Sequence, residues 1–164
     1  QYDKKFVFEK IGHNLEPSEI GAAFGLVQLK KLKSNLRKRE TNFKIHSNFL
    51  KKYSNYFILP KQLPGSRSGW LAYPITIKDK VPFTRTEMQI FLEKKNIQTR
   101  VVFTGNILRQ PGFKNIKAKK DKKGYPEADK VMRNGILIAC HHGLTKSMIL
   151  HIHRSIEQFI KLKS

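Results

Sequence analysis

A chain of 164 residues, 39% of them hydrophobic and eleven of them phenylalanine, is long enough to bury a core, which excludes a disordered polypeptide. The single cysteine, Cys140, excludes an intrachain disulfide framework and fits a reducing cytoplasm; no apolar run is long enough to span a bilayer, and no signal peptide opens the chain. The formal charge of +21 would suit a polyanion, but 25 of the 33 cations are lysine and eight arginine, whereas base-reading surfaces favour the arginine fork.

Tyr2–Phe8 alternates weakly and reads as a strand or an extended arm. Residues 11–17 form a loop leading into a helix, with Pro17 suited to the first helical position and Ser18-Glu19 behind it. Ile20, Ala23, Phe24 and Val27 share one face of that helix, and Gly21, Ala22, Ala23 and Gly25 keep it slim enough for another backbone to approach. A second helix is predicted from about Ser34 to Tyr53. Leu36, Phe43 and Leu50 repeat every seven residues toward a core, and Lys33, Arg37, Lys44 and Lys51 face water.

Residues 59–69 form a loop, and Trp70–Lys78 a strand that Pro74 demotes toward an edge. Thr84-Arg-Thr-Glu87 is a capping box; Met88, Phe91 and Leu92 follow at helical spacing, and Asn96 ends the helix. Val101–Phe103 is a strand broken by the turn Thr104-Gly105-Asn106. The lysine-rich run 114–123 lacks the interleaved aromatics of a stacking platform and reads as a solvated loop, so no specific nucleic acid is expected. Lys, Ile, Asn and Phe are also the residues of A/T-rich codons, which accounts for much of the charge. Ile136–Cys140 is an apolar strand, with Cys140 a small buried hydrophobe. After the turn His141–Leu144, Thr145 caps a last helix to about Lys161, burying Ile149, Ile152, Ile156 and Phe159. Helices, then βαβ, a lysine-rich loop and βα predict an α/β or α+β sandwich.

Arg100, Asn106, Arg109 and Gln110, brought together by a short strand and its turn, would suit an anionic, hydroxyl-rich ligand: guanidinium forks for phosphate, amides for hydroxyls. The plain alternative is a strand, a loop and two surface arginines. Cys140, His141, His142, His151 and His153 match no zinc spacing, so no metal site is expected. With no phosphate-binding glycine loop, no nucleophile elbow and no paired carboxylates, the chain carries no complete catalytic set.

Three stretches together resemble one family. Ile11-Gly12-His13-Asn14, with the run from Ser18 to Leu32, resembles the Gly-Tyr-Asn loop and following helix of the DegT-type sugar aminotransferases, pyridoxal-phosphate enzymes of the aspartate-aminotransferase fold. Phe103–Pro111 resembles the branch that removes the 3-hydroxyl from nucleotide-linked 4-keto-6-deoxy sugars. His141-His-Gly-Leu-Thr145 resembles the family's His-Pro-Gly-Leu-Thr entry to the last helix. Order and separations match as well, so the resemblance covers nearly the whole chain. It implies the C-terminal small domain of the fold-type I PLP transferase fold, an α/β unit with helices on a small mixed or antiparallel sheet. Residues 1–60 would be the interdomain loop and long helices, and 70–164 the small subdomain. The large cofactor domain would lie upstream of Gln1, with the lysine of the aminotransferases or the histidine of the dehydratases. So would the iron–sulfur cysteines of one dehydratase subset.

Residue by residue, the resemblance implies that Asn14 reaches the cofactor phosphate of a partner subunit, and hence a homodimer. His13 stands where tyrosine is usual, and Glu16 where relatives often carry a basic or neutral residue. Arg100, Phe103, Asn106, Arg109 and Gln110 fall on the dehydratase signature and would grip the nucleotide-linked sugar. Pyridoxamine or pyridoxal 5′-phosphate is implied for the full-length protein, with none bound covalently to this chain, which supplies grip and no catalytic residue. The implied setting is deoxysugar or lipopolysaccharide biosynthesis in the cytoplasm; a reductase partner stays open. A sugar aminotransferase of the same family is the first rival, and a non-enzymatic polyanion-binding domain the second.

Overall fold

The computed structural model describes residues 13, 15, 17–113, 115–119 and 121–164, which fall into two units: one ending at Lys33, the other running from Ser34 to Ser164. The predicted arm Tyr2–Phe8 and the position of Asn14 lie outside the described residues. Helix α1 spans Glu19–Leu50 without interruption, where two helices were expected. Between Gly25 and Leu50 the chain contains neither glycine nor proline, so nothing in its local chemistry ends the helix. In the first unit the stripe Ile20, Phe24 and Val27 is exposed, at 83%, 66% and 46%.

The second unit continues with β1 (Phe57–Ile58), β2 (Ala72–Ile77), α2 (Arg85–Lys94), β3 (Arg100–Val101), α3 (Pro126–Asn134), β4 (Gly135–Ala139) and α4 (Lys146–Lys163). The strands form one antiparallel sheet in the order β1-β2-β4-β3. β2 is therefore internal, which corrects the edge placement expected from Pro74. The Cys140 N–H donates to the Leu71 carbonyl at 3.3 Å. That bond makes 73/138 and 75/136 the hydrogen-bonded pairs and leaves Pro74 opposite Leu137, where no bond is exchanged. On the other side the register pairs Phe57 with Ile77 and Ile58 with Thr76. Continued two residues, it sets Pro60 against Pro74; neither has an N–H to give, and the ladder stops.

One face of the sheet is the core. Tyr73, Ile75, Ile77, Ile136 and Ile138 pack with Leu50 of α1, Met88 and Leu92 of α2, and Ile152, Ile156, Phe159 and Ile160 of α4. Burying one such side chain stabilises the fold by about 1.5–3 kcal/mol. The expected face of α4 is buried throughout, Ile149 included. Both predicted caps form: the Thr84 side chain accepts from Glu87 N–H while Glu87 reaches back, and Thr145 accepts from Met148 N–H.

Two expectations change. The strand predicted at Val101–Phe103 is Arg100–Val101, because the backbone turns at once: Phe103 N–H bonds Val101 C=O, and Phe103 sits at φ 45°. Helix α3 follows the lysine-rich stretch unpredicted, although Pro126 stands at its start with Glu127 and Asp129 in its first turn. Among the described residues no helix is long and apolar enough to cross a membrane.

Candidate functional site

The segment after β3 is a knot of short turns tied to α3. Gly105 adopts φ 62°, and a Cβ there would lie 2.3 Å from Met132 Cβ, so only glycine allows this turn to lie on α3. Asn106 is buried. Its Nδ2 donates to Asp129 Oδ1 at 2.8 Å and its Oδ1 accepts from Leu108 N–H at 3.1 Å. Arg109 grips the same carboxylate with both arms of its fork, Nε to Oδ1 at 3.1 Å and Nη2 to Oδ2 at 2.9 Å. Arg109 and then Asn106 hold the Asp129 carboxyl at a pKa of about 2, well below its ordinary value. Gln110 donates to the Thr104 carbonyl at 3.1 Å.

Three of the predicted site residues thus spend polar groups inside the fold: Asn106 and Arg109 on Asp129 of α3, and Gln110 on the loop's own backbone. The residue that organises them, Asp129, was missed because it lies on the unpredicted α3. Phe103 stands apart, 91% exposed and in a left-handed conformation that a non-glycine residue adopts at some cost.

Arg100 faces elsewhere. With Asn96, Gln98, His141 and His151 it supplies the polar lining of a cavity of about 440 Å³, which also includes Leu137, Ala139, Leu144 and Met148. Among the described residues, neither a carboxylate nor a lysine lines this cavity. The histidines around it have separate duties. Gly143 N–H donates to His141 Nδ1 at 3.2 Å, and His151 Nε2 donates to the Lys95 carbonyl at 2.8 Å. His142 Nδ1 accepts from Arg39 Nε at 3.4 Å.

His46 of α1 and His153 of α4 form a buried pair. His46 Nε2–H donates to the Ala139 carbonyl at 3.1 Å, which leaves Nδ1 to accept from His153 Nε2–H at 3.0 Å. His153 stacks on Phe49 with ring centroids 3.8 Å apart. Burial pushes both imidazoles down to a pKa of about 4. The Cys140 thiol is buried and pushed up to about 12, which makes it inert. The five Cys and His residues weighed for a metal therefore go to four different places.

The polar lining of the cavity suits an anionic group: one guanidinium, two amides and two imidazoles, with no opposing acid among the described residues. Among the described residues it offers no amine for a covalent cofactor anchor, and a phosphate is what these side chains fit. Asn14, the residue the resemblance assigns to a cofactor phosphate, lies outside the described residues.

The model of the DegT/DnrJ/EryC1/StrS aminotransferase family matches residues 1–157. The lipopolysaccharide biosynthesis protein RfbH of Salmonella typhimurium is 30% identical over 161 residues, 98% of this chain and 37% of that protein. The dTDP-4-dehydro-2,6-dideoxy-D-glucose 3-dehydratase of Saccharopolyspora spinosa is 31% identical over 169 residues, 99% of this chain and 35% of that enzyme. Among solved structures, an E. coli GDP-4-keto-6-deoxy-D-mannose-3-dehydratase with bound hydrated PLP superposes with a TM-score of 0.77 at 24% identity, over 94% of this chain and 39% of that one. The chain thus spans little more than a third of the length of these relatives, and its helices and antiparallel sheet share the fold of the solved dehydratase.

Proposed function

Because the chain belongs to the DegT/DnrJ/EryC1/StrS aminotransferase family, we propose that it is the C-terminal, substrate-gripping part of a nucleotide-sugar 3-dehydratase that removes the C3 hydroxyl of a 4-keto-6-deoxy sugar. The observation that carries the reading is the Arg100–Gln110 segment. It holds an exposed aromatic at a strained backbone position, beside a knot of turns fixed by Asn106, Arg109 and Asp129, and it begins at a cavity whose described lining holds no acid. A rigid loop on a packed scaffold is where recognition residues sit. The 3-dehydratases among the relatives support the branch.

In this reading Arg100 meets the phosphate-bearing part of the substrate and Phe103 supplies an apolar platform. Arg109, already paired, keeps the loop in shape and turns its remaining N–H groups outward. Asn14 would hold the cofactor phosphate of the partner subunit in a cytoplasmic homodimer. Pyridoxamine phosphate, when bound in the whole enzyme, supplies the electron sink for loss of the hydroxyl. The chain's own share is binding and orientation.

The longer protein containing this chain, given pyridoxamine phosphate and a GDP- or dTDP-linked 4-keto-6-deoxyhexose, should yield a product whose NMR spectrum shows a C3 methylene. An amine at C4 with the C3 hydroxyl retained would move the chain to the aminotransferase reading. Neither product would overturn both.

A further inference from the structure

Three residues at successive turns of α1 hold one short stretch of chain. Arg39, Asn42 and His46 are spaced three and four apart, so they share a helix face. That face meets residues 139–142, the link between β4 and the entry to α4. His46 Nε2–H donates to the Ala139 carbonyl at 3.1 Å. Asn42 Nδ2 donates to the His141 carbonyl at 2.9 Å and lies 3.5 Å from that of Cys140. Arg39 donates to His142 Nδ1 with Nε at 3.4 Å and Nη2 at 3.3 Å, and to the Gly69 carbonyl with Nη1 at 3.4 Å. Asn42 and His46 are buried. A turn of ordinary surface chain does not need three polar side chains from a core helix. This one carries His141, which lines the cavity with Arg100.

The His141 ring is itself fixed. Because Gly143 N–H donates to Nδ1, the proton of the neutral ring sits on Nε2. Besides Arg100 and the two amides, the cavity therefore has a ring N–H donor in a defined tautomer, on a backbone clamped by α1.

We propose that His141 is a ligand-contacting residue of this cavity, donating through Nε2–H to a diphosphate that Arg100 also holds, and that Asn42, with Arg39, is its positioning residue. The inference rests on the reading of this cavity as part of the sugar-nucleotide site.

The test uses the chain itself, labelled for observation of histidine and arginine side-chain nitrogens, at physiological salt, with inorganic pyrophosphate as the probe. Pyrophosphate should move the His141 and Arg100 signals together, and orthophosphate should bind about tenfold more weakly, having one phosphate to share between two donors. His141→Phe should weaken pyrophosphate at least tenfold, and His141→Gln, whose amide stands near the lost Nε2–H, should recover most of it. Asn42→Leu should weaken it about tenfold and shift the His141 Nδ1 signal toward a mixture of tautomers, a change that general loss of stability would not produce. Should Asn42→Leu fail to fold, Arg39→Met carries the same expectation. Shifts spread over the lysines and sparing His141 would overturn the proposal, as would wild-type affinity in His141→Phe. Equal affinity for the two anions would overturn the diphosphate, and an unmoved His141 tautomer in the α1 variants would overturn the positioning role. Failure of the intact protein to act on a keto-sugar nucleotide is a different result: it removes the enzyme reading and leaves these side-chain shifts as they are.

Discussion

At the scale of single residues, two arrangements set a dependence on pH. The imidazoles of His46 and His153 have folded pKa values of about 4, below the ordinary 6.5, because burial disfavours their charged forms. Between those values the unfolded chain binds more protons than the folded one. Their contribution is complete above about pH 6.5 and is lost as pH falls through 4. The loss should be on the order of 3 kcal/mol for one such ring, read as a falling urea midpoint between pH 7 and pH 4. His153→Phe, which keeps the stack on Phe49, should flatten that curve; an equally steep curve would show that other groups cause it. Asp129 behaves in the same direction at lower pH. Held at about 2 by Arg109 and Asn106, it contributes fully above its ordinary value near 4, and that contribution fades as pH falls through 2. Arg109 is largely exposed, so Arg109→Ala should change the melting temperature by no more than about 2 °C at pH 7. The small gap to wild type should close as pH falls from 4 to 2. A drop of 10 °C would make the Arg109–Asp129 pair an anchor of the whole fold rather than of this loop alone.

At the scale of elements, the caps decide where helices begin. Thr84 holds the start of α2 by accepting from Glu87 N–H, and Glu87 also pairs with Lys163 at 2.6 Å, tying the first turn of α2 to the last turn of α4. Thr84→Ala should therefore cost about 1 kcal/mol, measured by denaturant unfolding, and Thr84→Ser should cost little. Such features were readable in the sequence because they are local: a capping box spans four residues, and the inward stripe of α4 follows from spacing alone. The rest was not local. The two residues of β1 are a strand only because β2 lies beside them. The position of Pro74 inside the sheet depends on which of its two neighbours needs an N–H, and a proline in a sequence does not state that. The partners Arg109 and Asp129 are twenty residues apart on elements whose packing is fixed by the turn at Gly105. Arg100 and Phe103 were singled out by residue type, and the structure sets the first in a cavity lining and the second on the surface. The use of Asn106 as an internal tie was not legible, since an amide suits a ligand hydroxyl and a carboxylate equally well.

At the scale of the whole molecule, the charge is the dominant fact. Thirty-three cations against twelve acids will draw any polyanion to the surface at low salt. That attraction should be steep in salt and indifferent to sequence: retention on unrelated DNA at 50 mM salt should fall by at least about a hundredfold at 200 mM. Binding that survived high salt and preferred one sequence would instead favour the polyanion-binding rival. A chain so charged resists clustering by repulsion, yet polyanions and salt cancel that protection. The meeting of Pro60 with Pro74 supplies another that salt does not touch. Beyond Ile58 the pairing of β1 with β2 ends, and an unpaired flank of a sheet is where a strand from a neighbouring molecule would add itself and begin an aggregate. At Pro74 such a strand finds no hydrogen to accept. The pair of prolines thus acts as a stop against runaway sheet growth, and replacing Pro74 would put at risk the solubility of the protein before its fold.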